Sequence, residues 1–275
     1  MPTPLLQIRG AALRLPGREL WSGLDLDISP GEFVAVLGPS GSGKTTLLRA
    51  ILGLQPLSAG EIRVGGQSVR KGNPRIGYIP QQHPLPPGTS LRARDLVALG
   101  VNGTRFGLPF PRRGDRAKVD VLLRAVGADG YADAPVGSLS GGEQQRLRVG
   151  QALAAPPELL LCDEPLSSLD LANQRDVTAI IERMRTNRDA AVLFVTHDIN
   201  PVLGMTDRIL YIVGGRFTLG TPDEVLRTEV LSDLYDAPVE VVRAGGRLFV
   251  AGTPEAEPHH PHHEGEHAHA RGEFA

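Results

Sequence analysis

The sequence predicts an α/β fold built on a parallel sheet, on three observations. Short apolar runs suited to buried strands alternate with helical stretches along most of the 275 residues. One such run passes directly through a glycine-rich loop into a helix, and two more end in polar, chemistry-bearing residues. With 41% hydrophobic residues the chain is rich enough to bury a substantial core, which excludes a disordered chain and a disulfide-stapled mini-protein.

Element by element, Leu5 to Leu15 and Leu20 to Ile28 are strands around a Pro16-Gly17 turn. In the second, Leu24, Leu26 and Ile28 alternate with Asp25 and Asp27, the period of a half-buried strand. After the turn Ser29-Pro30-Gly31, Glu32 to Leu37 is a buried strand, and Thr45 to Leu54 a helix. Gly60 to Val69 is a hairpin turning at Gly65-Gly66, and Ile76 to Ile79 a short strand. Between His83 and Pro135 the composition shifts to Pro, Gly and Arg around helices at Ser90 to Leu99 and Arg116 to Val126, with a loop at Val101 to Gly114. Glu143 to Ala155 is helical, Leu159 to Cys162 a buried strand, Gln174 to Arg185 an amphipathic helix, and Ala191 to Val195 another buried strand. Ile209 to Phe217 reads as a hairpin, Pro222 to Leu226 as a helix start, and Val239 to Val250 as two strands around Gly245-Gly246. The apolar pattern ends at Gly252, and the Pro-, Glu- and His-rich tail beyond it is expected to be disordered. No internal repeat is visible.

A formal charge of −2, from 29 Lys+Arg against 31 Asp+Glu, gives no electrostatic case for nucleic-acid binding. The single cysteine, Cys162, excludes intrachain disulfides and suits a reducing compartment; its expected role is that of a small core residue. No apolar run approaches the roughly 20 residues of a membrane span. The N-terminus lacks the basic and apolar regions of a secretory signal, so the chain is expected to stay where it is made.

Chemistry concentrates at two strand ends. Gly38 to Thr45 reads GPSGSGKT and fits G-x-x-x-x-G-K-[ST], with the strand before it and the helix after it that the pattern requires. Its glycines let backbone N–H groups turn in on phosphates, Lys44 reaches the β and γ oxygens, and Thr45 can ligate Mg²⁺. The binding set is Gly38, Pro39, Ser40, Gly41, Ser42, Gly43, Lys44, Thr45 and Thr46. Leu159 to Glu164 reads LLLCDE, and paired acids at an apolar strand tip are costly unless a cation sits there. Asp163 is placed to hold Mg²⁺, and Glu164 to accept a proton from the attacking water.

Two further segments, LSGGEQQR at Leu139 to Arg146 and SSLD at Ser167 to Asp170, resemble motifs of the ATP-binding subunits of ABC transporters. The resemblance runs from Leu5 to about Leu226 and takes in Gln81 after Tyr78-Ile79-Pro80, matching the family's Q-loop, and His197, matching its switch histidine. It implies a P-loop NTPase (RecA-like) parallel core with an antiparallel β subdomain and a helical ABC subdomain. The expected division is 1–235 for the ATPase domain, its helical subdomain at about 83–155, then 236–252 for a short β extension and 253–275 for the His-rich tail. Two subunits would pack head to tail as a homodimer, with Ser140, Gly141 and Gly142 of one contacting the γ-phosphate held by the other. Gln81 would sense Mg²⁺ and the attacking water, Glu164 polarise that water, His197 hold the γ-phosphate, and Asp170 communicate across the dimer. The family usually stacks adenine on an aromatic residue where this chain has Leu15. The base is then held by apolar contact or by Trp21 turned inward, the other role for Trp21 being a core residue.

The resemblance also implies work through separate integral membrane permease subunits, at the cytoplasmic face of the cell (inner) membrane, with an extracytoplasmic metal-binding protein as an indirect partner. Gln81, His83 to Leu91 and the helical subdomain would receive a cytoplasmic helix of the permease. The basic segment Arg105 to Arg124 reads as a solvated helical face or a headgroup or permease contact. For the cargo, His259, His260, His262, His263, His267 and His269 lie among four glutamates, a set suited to Zn²⁺, Ni²⁺ or Cu²⁺ in a flexible buffer or sensor. The body of the chain also resembles the zinc/manganese-type ATPases. Zinc import is the expectation; manganese or another metal, or lipid or lipoprotein export with an incidental tail, are the alternatives.

Overall fold

The computed structural model describes residues 3–81, 85–86, 88–102 and 114–252. Strands β1 (Leu6–Leu15) and β2 (Arg18–Ile28) lead to β3 (Phe33–Leu37), helix α1 (Lys44–Ile51), β4 (Ala59–Val64), β5 (Gln67–Ser68) and β6 (Ile76–Ile79). Helices α2 (Ala93–Asn102), α3 (Asp115–Ala125) and α4 (Gly141–Ala152) precede β7 (Leu159–Asp163), α5 (Leu171–Arg188) and β8 (Ala191–Val195). The chain continues through β9 (Arg208–Val213), β10 (Arg216–Gly220), α6 (Pro222–Val225), α7 (Thr228–Tyr235) and a hairpin of β11 (Val239–Ala244) and β12 (Arg247–Gly252).

The six-stranded sheet runs β10-β9-β3-β8-β7-β6, parallel from β9 to β6, with β10 closing the edge antiparallel. A separate antiparallel sheet runs β2-β1-β4-β5. Every residue of β3, β7 and β8 is buried, as a strand covered on both faces requires. The two-residue side-chain period then divides the core. Val34 and Val36 of β3, with Leu159, Leu161, Leu193 and Val195, pack with α1 against the antiparallel sheet. Phe33, Ala35 and Leu37, with Leu160, Cys162 and Phe194, face the helical side instead. Each fully buried Leu, Val or Phe contributes about 1.5–3 kcal/mol relative to exposure, so this double-faced sheet is a rigid base for whatever its strand ends carry.

Helix boundaries differ from the sequence expectation for local reasons. Instead of spanning Ser90 to Leu99, α2 starts at Ala93, because Arg92 bridges Pro135 and the N–H groups of Ala93 and Arg94 donate to Ala134 and Ala132. Helix α4 starts two residues before Glu143, since Ser140 and Glu143 form a reciprocal capping box, and it ends before Pro156-Pro157. Asp170 caps α5 by accepting from the Asn173 N–H, which moves its start from Gln174 to Leu171. The short helix α7, which buries Leu231 and Leu234, was not expected. The Ile209–Phe217 hairpin is present as β9 and β10, but β9 also joins β3 in the parallel sheet.

Candidate active site

The carboxyl ends of β3, β8, β7 and β6, consecutive in the sheet, deliver the phosphate loop, His197, Asp163, Glu164 and Gln81 to one place, where ligands of open α/β sheets bind. From β3 the chain enters the Gly38–Gly43 loop and turns into α1 at Gly43, whose φ of 97° is left-handed. No side chain caps α1 there, so its first N–H groups are free to receive an anion. A Cβ on Gly43 would lie 2.8 Å from the Trp21 Nε1, so the loop rests on the indole and only glycine fits. Trp21 is fully buried, which settles its role as core and removes the alternative in which it turns in on adenine. Among the described residues its Nε1 and the buried Ser42 Oγ have no hydrogen-bond partner.

Lys44 is 6% exposed and folds back over the loop, its Nζ donating to the carbonyls of Gly38 at 2.7 Å and Pro39 at 2.8 Å. Burial pushes its ammonium below the usual lysine range, while the nearby Glu164 and Asp163 charges oppose the shift. Thr45 and Thr46 lie half-buried in the first turn of α1. The Thr45 Oγ1 donates to Asp163 Oδ1 at 2.9 Å, and the Tyr78 hydroxyl donates to Asp163 Oδ2 at 3.2 Å. Asp163 is 2% exposed; burial raises its carboxyl pKa, and the two hydrogen bonds oppose that rise. Burial and the Asp163 carboxylate in turn push the Tyr78 phenol up to about 12. A buried carboxylate beside a threonine hydroxyl is a hard oxygen donor pair that a divalent cation would compensate, so these residues fit Mg²⁺.

Glu164 follows in a left-handed backbone, φ 46°, fixed where its N–H donates to the Val195 carbonyl at 3.0 Å. A non-glycine residue in that conformation costs roughly 1–2 kcal/mol. On its Oε2 converge the Gln81 Nε2 at 3.5 Å and the His197 Nδ1 at 3.4 Å. Gln81, Glu164 and His197, chosen from three separate segments, thus meet at one oxygen.

Ser140, Gly141 and Gly142 stand at the start of α4, and no hydrogen bond among the described residues joins them to the phosphate loop. The Ser140 hydroxyl and N–H both donate to Glu143 Oε2 at 2.8 Å. Gly142 is backed by Asn173, since a Cβ there would lie 2.3 Å from the Asn173 Cγ. Asn173 in turn bonds both Asp170 oxygens and accepts from Arg146, so the SSLD and LSGGEQQR segments form one block. Leu15 is 40% exposed and pairs with Arg18, whose guanidinium reaches within 3.9 Å of the position of a Cβ on Gly41. Cys162 is buried, and burial pushes its thiol up.

Sequence reasoning missed Tyr78, the seat of Trp21 under Gly43, Arg18 and Asn173. Only the Y-I-P-Q order around Tyr78 carried a local signal. Arg116, Lys118 and Arg124 are exposed on α3, whereas Arg105, Arg112 and Arg113 lie outside the described residues, as do His83 and the tail histidines His259, His260, His262, His263, His267 and His269. Among the described residues no group of three or more His, Cys, Asp or Glu is placed to hold a metal ion, and no helix is long and apolar enough to cross a membrane.

Residues 21–167 match the family model described as ABC transporter. The chain belongs to the ABC transporter family. It is 39% identical over 227 residues to the Fe(3+) ions import ATP-binding protein FbpC of Streptomyces avermitilis, covering 81% of this chain but only 64% of that protein's length. The zinc import ATP-binding protein ZnuC of Pseudomonas fluorescens is 33% identical over 235 residues, covering 86% of this chain and 84% of the relative. An ATP-binding cassette solved as a dimer in a post-hydrolysis state with ADP and Pi superposes with a TM-score of 0.68 at 26% identity, covering 78% of this chain and 98% of that one. The fold is accordingly the P-loop NTPase core of ABC ATPases with its antiparallel sheet, and the chain is an ATPase of that family.

Proposed function

We propose that this chain is the ATP-hydrolysing subunit of an ABC importer, working as a homodimer under a separate membrane permease, with zinc as the cargo. The observation that carries the ATPase part is the convergence on Glu164 Oε2 beside a buried Asp163–Thr45 pair and a phosphate loop with its N–H groups uncapped. The loop and Lys44 hold the phosphates. Thr45 and Asp163 would hold Mg²⁺, which when bound would supply charge neutralisation for the phosphates. Glu164 accepts the proton of the attacking water, Gln81 orients that water through the shared oxygen, and His197 donates to the γ-phosphate as charge develops. Ser140, Gly141 and Gly142 complete the site from a second copy, Asp170 linking them through Asn173 to the partner's site. The dimeric cassette with ADP and Pi supports this arrangement.

Support for zinc comes from the six histidines between 259 and 269 and from the ZnuC relative that the chain matches over most of its length. A ferric iron reading is favoured by the higher identity to FbpC, over less of that protein. The importer names of both relatives support inward transport; in this proposal the ATPase is peripheral on the cytoplasmic face, with a metal-binding protein outside.

Two experiments test this. Glu164→Gln is expected to bind ATP, accumulate the closed dimer and lose turnover by about 10² or more; near-normal hydrolysis would sink the assignment of the general base. Titrating Zn²⁺, Mn²⁺ and Fe³⁺ into the full chain, and into a full chain with the six tail histidines changed to serine, should show Zn²⁺ binding several-fold tighter to the first. Equal binding to both removes the tail as support for zinc.

A further inference from the structure

The hairpin of β11 and β12 closes the same cleft that holds the switch histidine. This cleft of about 520 Å³ is walled by the Gly38–Ser40 start of the phosphate loop, by His197 to Asn200, and by Arg247 to Val250 of β12. Among the described residues the side-chain hydrogen bonds between the last two walls are made by Asn200. The Asn200 Oδ1 accepts from the Leu248 N–H at 2.8 Å, and its Nδ2 donates to the Leu248 carbonyl at 2.9 Å and to Asp198 Oδ1 at 2.8 Å. Both amide donors and the acceptor are used, in the only amide orientation that satisfies all three. Asp198 Oδ1 also accepts the Asn200 N–H at 2.9 Å, and Thr196 Oγ1 both donates to the Asp198 carbonyl and accepts its N–H. Thr196, Asp198 and Asn200 therefore bracket His197 in a ladder of side-chain bonds whose far end is the hairpin backbone. The hairpin is itself anchored: Leu248 and Val239 are buried, Ser232 of α7 bonds both the N–H and the carbonyl of Val239, and Thr228 accepts from the Val241 N–H. His197, by contrast, has a side chain 66% exposed, and among the described residues the polar contact of its ring is with Glu164, at 3.4 Å, so the orientation of its loop decides where it points.

We propose that the C-terminal hairpin is part of the hydrolytic apparatus: through Asn200, a positioning residue, it fixes the switch loop so that His197 reaches the γ-phosphate. This rests on the reading of His197 as a residue of hydrolysis. Release of Asn200 leaves nucleotide binding intact, because the phosphate loop is held by Lys44 and Trp21, and lowers only the chemical step.

The test compares ATP hydrolysis by the full chain with Asn200→Ala, Leu248→Ala, both together, and His197→Ala as reference, at a temperature where melting curves show each variant folded. Asn200→Ala is expected to lower kcat about tenfold or more with KM for ATP within about twofold, as for a displaced rather than a missing group. Leu248→Ala, which loosens the hairpin while leaving the Asn200 side chain in place, should act in the same direction. The double variant should be no slower than the slower single one, since both release the same junction. Normal kcat in Asn200→Ala while His197→Ala is inactive overturns the hairpin's role alone. Normal kcat in His197→Ala removes the reading of the histidine, and the proposal with it. A loss shared equally by KM, or multiplicative losses in the double variant, also overturns it.

Discussion

The two ends of the nucleotide chemistry in this chain are built differently. At the phosphate-loop end Lys44 is bonded to the loop carbonyls and Thr45 to Asp163, and the loop lies on a fully buried indole. At the signature end Ser140 spends its hydroxyl and its N–H on Glu143, one residue group satisfying another at a helix start. The first end is preorganised by tertiary packing and needs only its ligand. The second is held by local capping, which on the proposed reading would be exchanged for a phosphate brought by a partner.

Variants should separate the two ends, the largest effects falling at the first. Lys44→Ala is expected to cost two to three orders of magnitude in hydrolysis, roughly the scale of one lost charge-stabilising donor, measured as kcat/KM. Ser140→Ala should cost about tenfold in turnover, leave ATP affinity of the single chain unchanged, and destabilise α4 by about 1 kcal/mol through the lost cap. Mixing the two impaired chains should raise hydrolysis above either alone, because one site of the mixed dimer carries neither defect. No recovery would mean that the signature serves its own loop.

A stability effect comes next. Burial holds the Asp163 carboxyl above its ordinary range, so its ionised form costs folding stability above that raised pKa, and the cost fades as pH falls through it. Asp163→Asn should therefore raise the melting temperature of the nucleotide-free chain at about pH 8 by a few degrees, and by less near about pH 5, while abolishing turnover. The smallest effect is expected at Leu15, where an aromatic substitution, Leu15→Phe, should tighten ATP binding several-fold by stacking. The wild-type chain, lacking that ring, should discriminate poorly against GTP; GTP hydrolysis below about one-tenth of the ATP rate would contradict this.

Local patterns made much of this legible. The loop GPSGSGKT, the strand end LLLCDE and the all-apolar β3, β7 and β8 place the sheet and its active end because each is read within a few residues. What escaped is made across the fold. Tyr78 finds Asp163 only because β6 and β7 are adjacent in register, Tyr78 opposite Leu161. The meeting of Trp21 and Gly43 depends on how the antiparallel sheet lies against α1, and that of Asn173 and Gly142 on two helix starts coming together. The hairpin around Gly245-Gly246 was visible, but its attachment to Asn200 is a contact between positions 48 residues apart with no periodic signature. Helix α7 follows α6 after two residues and is only eight long, too short for its two buried leucines to mark a period.

Trp21 is the one tryptophan in 275 residues, and its ring touches the turn on which the phosphates would rest. Indole emission from these residues therefore originates at one fully buried ring, beneath the place a nucleotide's phosphates would take, with an N–H that has no partner among the described residues. That ring is a built-in optical gauge: nucleotide entering the loop should change its emission without label or coupled assay.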